Sequence, residues 1–166
     1  MRRLGAGLAL AVALLWTAPL AGARHTVAIT PTSIAGIKLG MSRAQARGLL
    51  GNPVRLDRLE DGYERLVSER RRIEVYFRAG VTGVAEVTTW SRTLRTDKGV
   101  GPCSTVPSLK AAYGTRLQAF RQQKNAIAYR LGDLVFTTEG GKRVGVVALG
   151  RGTASTYVAL NAPECR

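Results

Sequence analysis

Gly36-Ile37-Lys38-Leu39-Gly40-Met41-Ser42, continuing as Arg43-Ala44-Gln45-Ala46-Arg47-Gly48-Leu49-Leu50-Gly51, is the stretch whose reading decides the fold. Its second half predicts a short helix with both ends marked. Ser42 and Gln45 have the spacing of a capping box, in which a hydroxyl and an amide each satisfy an orphan backbone N–H. Gly51 supplies the stop, and Pro53 forbids continuation. Ala46, Leu49 and Leu50 fall at i, i+3 and i+4, which predicts one buried stripe. The same grammar returns further along. Gly99-Val100-Gly101-Pro102-Cys103-Ser104-Thr105 leads, past Pro107, to Leu109-Lys110-Ala111-Ala112-Tyr113-Gly114. Gly36 matches Gly99, Ile37 matches Val100, Ser42 matches Thr105, Ala46 matches Leu109 and Gly51 matches Gly114, all at one offset. In the second helix Pro107 falls in the first turn, where a missing N–H costs little, and Leu109, Ala112 and Tyr113 form its buried face.

After each helix the period changes from 3.6 to 2. Val54-Arg55-Leu56-Asp57 alternates as a half-buried strand, and Glu60-Asp61-Gly62 carries the Asp-Gly signature of a hairpin turn. Residues 63–68 form the return strand. Ile73, Val75 and Phe77 alternate inward within 72–78, so Tyr76 points to the other face, and 84–90 is the next strand. In the second unit, 117–120 and 126–129 are strands joined by the polar turn 122–125. Strands follow at 134–137 and 143–149, and a last one at 156–160. Residues 26–30 read as an extended lead-in. A helix followed by an antiparallel meander is a self-contained α+β unit. The predicted architecture is therefore two tandem helix-plus-meander units, residues 24–96 and 97–166, forming one curved sheet with the helices packed on one face.

Arg2 and Arg3, an apolar run over 8–16, Pro19 and the small residues Ala21-Gly22-Ala23 have the layout of a cleaved secretory signal over 1–23. The run is shorter than the roughly 20 residues of a membrane span, so no span is expected after cleavage; an uncleaved anchor is the alternative. The expected location is secreted, outside the cytoplasm. The whole chain carries a net charge of +14, and without the leader about +12, a balance that attracts polyanions. The arginines are scattered through hairpins and turns and form no helical stripe to track a phosphate backbone; together with export, this excludes nucleic acid. Arg70-Arg71-Arg72 is the densest cluster. With Glu64, Glu69 and Glu74 close in sequence, it reads as a mixed-charge, solvated sheet face. The only two cysteines, Cys103 and Cys165, form an even pair that invites a disulfide in an oxidising compartment, worth about 3–4 kcal/mol in the chain-entropy account; two buried thiols are the alternative.

The string at 36–42, with Leu49-Leu50-Gly51-Asn52-Pro53 after it, resembles the helix-then-meander repeat of the β-lactamase inhibitory protein (BLIP)-like and SmpA/OmlA-like proteins. The resemblance implies two units sharing a continuous sheet whose concave face grips a protein, with no enzymatic activity. SmpA/OmlA proteins carry one copy and a lipidated cysteine, whereas this chain carries two copies and no such cysteine. The BLIP-like arrangement is the nearer match.

Catalysis is not expected. The single histidine, His25, lies at the start of the mature chain, so neither a Ser-His-Asp nor a Cys-His arrangement can be assembled. Two cysteines alone cannot close a zinc site, and no metal or cofactor is expected. Glu60, Asp61, Glu64, Glu69 and Glu74 sit among arginines in turn-like sequence, which reads as ionised surface groups and not as a raised general acid. Binding is the expectation that remains. Glu60, Asp61 and Tyr63 present two acids and an aromatic at a hairpin tip, as a similar loop of BLIP does, although a plain Asp-Gly turn has the same composition. Arg65, Arg70, Tyr76 and Trp90 are the further candidate contacts, since interface anchors are enriched in Tyr, Trp and Arg; Trp90 fits the core between the units equally well. Two functions follow: a module binding an extracellular or envelope protein, as an inhibitor or an interaction partner, or a protein held by its basic surface to an anionic wall polymer or lipid of the envelope.

Overall fold

The computed structural model describes residues 26–59, 62–123, 126–150 and 165. The predicted leader, Glu60 and Asp61, and the strand expected over 156–160 lie outside them. Helix α1 spans Arg43–Leu50, and its capping box is complete: the Gln45 N–H donates to Ser42 Oγ, and the Ser42 N–H donates to Gln45 Oε1. It ends at Gly51, whose φ of +69° turns the chain out of the helix. Helix α2 spans Val106–Tyr113, with Pro107 in its first turn and Thr105 Oγ1 accepting from the Ser108 N–H. Ala46 and Leu50 are buried on α1 and Val106, Leu109 and Tyr113 on α2. Leu49 departs from the expected stripe. It is 38% exposed and lies on the helix flank over Gly36, because a helix of two turns has room for only one narrow seam against the sheet.

Three two-residue strands, β1 (Thr26–Val27), β2 (Ile29–Thr30) and β3 (Ser33–Ile34), precede α1. Between the helices run β4 (Arg55–Arg58), β5 (Tyr63–Ser68), β6 (Ile73–Arg78), β7 (Val84–Thr89) and the short β8 (Leu94–Arg95), which pairs in parallel with β1. After α2 come β9 (Gln118–Gln123), β10 (Ala126–Leu131), β11 (Leu134–Glu139) and β12 (Arg143–Leu149). Eight of these strands make one antiparallel sheet in the order β4-β5-β6-β7-β12-β11-β10-β9. The last strands of the two meanders meet at its centre, where Val87 pairs with Leu149 and Thr89 with Val147. The protein is thus a mixed α and β fold, a large antiparallel sheet with two short helices.

The segment before each helix is tied to the start of its meander's last strand. Gly40 N–H donates to Val84 O and Val84 N–H to Met41 O. In the second half Cys103 N–H donates to Val144 O and Val144 N–H to Ser104 O. Residues of both helices enter one apolar core with Ile29, Ile34, Ile37, Leu66, Val75, Val87, Phe136 and Leu149. The alternation of β6 holds: Ile73, Val75 and Phe77 join that core, while Tyr76 packs in a separate cluster with Val146, Leu59 and Trp90. Cys103 and Cys165 form a disulfide, with their Cα atoms 5.3 Å apart.

Candidate functional site

The candidate contacts do not form one surface. Tyr63 opens β5 and Arg70 follows its end, so at about 3.3 Å per residue they stand roughly 20 Å apart. Between them the structure makes a polar network, at one end a groove and at the other a basic turn.

The network is set by register. Asp57 on β4 lies opposite Arg65 on β5, and Arg65 lies opposite Tyr76 on β6. Directly opposed residues share a sheet face, and Glu74, two places along β6, joins them. Arg65 donates through Nη2 to Asp57 Oδ2 at 2.7 Å and through Nη1 to Glu74 Oε1 at 3.1 Å. The Tyr76 hydroxyl donates to Glu74 Oε2, and Arg55 Nε donates to Asp57 Oδ1 at 2.8 Å. Burial raises the Glu74 carboxyl above its ordinary value, outweighing the Tyr76 hydrogen bond and the Arg65 charge that favour the ionised form. Hydrogen bonding from Arg55, helped by Arg65, lowers the Asp57 carboxyl. Burial opposes the Arg65 charge, but Asp57 and Glu74 overcome it and its pKa is raised. Burial also raises the Tyr76 hydroxyl, so it stays protonated as a donor.

This overturns the expectation that every acid of the first unit is an ionised surface group. Glu74 is 7% exposed. Its place beside Arg65 of the neighbouring β5 was hidden because Glu74 follows closely on the turn-like, arginine-rich residues 69–72. Tyr76 occupies the predicted face, yet it is 0% exposed and serves the network instead of presenting a ring to solvent. Trp90 packs half-buried against Tyr76 and Val146.

The groove, about 720 Å³, lies where the N-terminus of α1, the β4–β5 hairpin and the β6–β7 turn converge. Two aromatic rings line it, each with a guanidinium beside it: Arg43 is 5.0 Å from the Phe77 centroid and Arg78 is 5.8 Å from that of Tyr63. Arg43 also pairs with Glu64, which Arg58 approaches to 3.8 Å. The groove owes its shape to Gly83, whose φ is +82° and where a Cβ would lie 2.3 Å from the Gly40 carbonyl oxygen. Of the predicted contacts among the described residues, Tyr63 alone lines this groove; Arg43, Phe77 and Arg78 were missed, because no local pattern in sequence brings α1 beside β6.

The basic turn corrects a second expectation. Arg70, Arg71 and Arg72 are exposed, but the acids near them in sequence are engaged elsewhere. Glu64 pairs with Arg43, Glu74 with Arg65, and Glu69 approaches Arg55 at 3.8 Å. Among the described residues none of the three arginines makes an ion pair. Arg72, at φ +57°, turns its carbonyl to the Trp90 N–H and Thr89 Oγ1. A smaller cavity of about 390 Å³ lies beside the turn, lined by Arg71, Thr30, Ser33, Gly36 and Leu94 among others.

No family model, curated protein or solved structure matches this chain. The expected resemblance to BLIP-like and SmpA/OmlA-like proteins has no support from these comparisons. Among the described residues, no three His, Cys, Asp or Glu side chains are grouped to hold a metal, and no helix is long and apolar enough to cross a membrane. A disulfide between Cys103 and Cys165 is compatible with a location outside the cytoplasm.

Proposed function

We propose that the protein is a secreted, non-catalytic binding module, built from two helix-plus-meander units on one curved sheet, whose partner is an extracellular or envelope protein. The observation that carries this reading is the groove at the β4–β5 hairpin. Tyr63 supplies apolar contact area beside the buried Phe77 ring at the base of the groove, and Arg43 and Arg78 supply donors already positioned on the two rings. Such aromatic and arginine pairs concentrate binding energy at protein interfaces. Glu74, the buried acid with a raised pKa, is held by Arg65 and Tyr76 and lines neither cavity, which supports a structural role for it over general-acid chemistry. The disulfide and the leader-like residues 1–23 support export. Inhibition of the partner is one form the binding can take.

The test is capture of protein from culture fluid and envelope fractions at low and high salt, with wild type and with Tyr63→Ala. A partner retained at high salt by wild type and lost by the variant is the expected result, because apolar contacts outlast the screening that removes exposed charge pairs. Capture of nothing at either salt, or capture indifferent to Tyr63, overturns the reading. A second reading, adhesion to an anionic envelope polymer or lipid, is favoured by the exposed arginines of the β5–β6 turn, which make no ion pair among the described residues.

A further inference from the structure

We propose that β9, an edge strand of the eight-stranded sheet, takes an extended segment of a partner protein as a further strand, a segment in which acidic and apolar residues alternate. The site goes beyond the reading above and is separate from the groove at Tyr63.

Among the described residues β9 pairs with β10 alone. Its other side presents a row of backbone N–H and C=O groups, the template on which a foreign strand is added. The two edges of the sheet are not alike in this respect. β4 places Arg55, Asp57 and Arg58 in a strand of four residues, a charged composition that blunts an edge. β9 runs for six residues with Arg121 as its one charge, and Gln118, Ala119 and Arg121 are exposed. The bulge in its pairing with β10 falls beyond Arg121, so its side chains alternate regularly up to that point.

The charge around β9 indicates what the added strand carries. Between Asp97 and Asp133 the chain has Lys98, Lys110, Arg116, Arg121, Lys124 and Arg130 and no acid. Among the described residues none of these bases makes an ion pair, whereas Arg55 and Arg58 of β4 meet Asp57 and Glu64 of their own chain. Register then supplies the pattern. Ala119 lies opposite the core residue Tyr129, and Phe120 opposite Ala128. Ala119 and Arg121 therefore share the face that bears the helices, and Phe120 stands on the other, with Arg130 5.5 Å from its ring. The residue directly across from Arg121 is favoured when acidic, and its neighbour across from Phe120 when apolar.

The experiment titrates the purified disulfide-bonded protein, at neutral pH and near-physiological salt, with three capped peptides. One alternates glutamate and valine, one alternates lysine and valine, and the third is the acidic peptide N-methylated throughout, which keeps its charge and loses its main-chain donors. Wild type is compared with Arg121→Glu, Lys38→Glu and Tyr63→Ala. Lys38 is exposed in the segment before α1, so its variant changes the net charge equally without touching β9. Wild type, Lys38→Glu and Tyr63→Ala are expected to bind the acidic peptide alike and the N-methylated one far more weakly. Arg121→Glu is expected to weaken the acidic peptide by about fivefold, by losing a cross-strand attraction and gaining a repulsion, and to bind the lysine peptide better than wild type does. No binding of the acidic peptide by wild type overturns the proposal. So does equal binding of the N-methylated peptide, which leaves only the attraction of a basic surface for anions, such as a wall polymer or lipid. Equal weakening by Lys38→Glu and Arg121→Glu overturns it as well. Unchanged unfolding temperatures for the variants separate lost binding from lost structure.

Discussion

Replacing Tyr76 by Phe removes one oxygen and tests the whole network. The hydroxyl donates to Glu74 Oε2, and Tyr76 is 0% exposed, so water does not replace it. Glu74 keeps only the Arg65 contact on its other oxygen. A hydrogen bond to an ionised group contributes about 1.5–3 kcal/mol, against about 0.5–1.5 kcal/mol for a neutral one. The cost therefore depends on the protonation of Glu74. Its folded pKa is raised above the ordinary 4.5, so the folded chain holds that proton to higher pH than the unfolded chain. The resulting stabilisation is complete below the unfolded pKa and fades as pH rises through the folded one. Removing the Tyr76 donor, which favours the carboxylate, raises the folded pKa further. The variant should lose about 1 kcal/mol or less at pH 4, below the ordinary 4.5, where Glu74 is mostly protonated in both states, and about 2 kcal/mol at a pH above its raised folded pKa, where it is a carboxylate. Asp57, with its pKa lowered by Arg55 and Arg65, still holds Arg65 at the lower pH. Urea unfolding of wild type and variant at both pH values, disulfide intact, reads the difference from the midpoints at constant slope. An equal penalty at the two pH values, or a larger one at pH 4, would refute a buried, ionised Glu74.

The disulfide links residues 62 positions apart, a loop whose closure is worth about 4 kcal/mol in the chain-entropy account. The paired variant Cys103→Ser and Cys165→Ser should therefore melt about 10–15 °C lower, and calorimetry showing a fall of only a few degrees would contradict that account. Gly83→Ala forces a Cβ to within 2.3 Å of the Gly40 carbonyl oxygen at a φ of +82°, whereas Gly40→Ala meets open space at φ +75°. Denaturant titration should find Gly83→Ala costing about 2 kcal/mol or more and Gly40→Ala only about 1 kcal/mol; similar costs would mean that the β6–β7 turn does not rest on the segment before α1.

Local signals were legible in the residues themselves. The caps at Ser42 and Thr105, the stops at Gly51 and Gly114, and the period-two alternation of β6 act over one to four residues, a range on which backbone hydrogen bonding and side-chain direction are decided without the rest of the chain. The Cys103–Cys165 pairing followed from there being only two cysteines. Tertiary structure decided what depends on register across distant strands. The pairing of β7 with β12 makes one sheet of two meanders, and the opposition of Asp57, Arg65 and Tyr76 buries a charge that the linear order assigns to the surface. The same registers draw Glu64 and Glu74 to Arg43 and Arg65 and bring Glu69 of the β5–β6 turn within 3.8 Å of Arg55. Charge compensation is a matter of a few ångströms in space, and adjacency along an extended strand does not provide it, because successive side chains point to opposite faces.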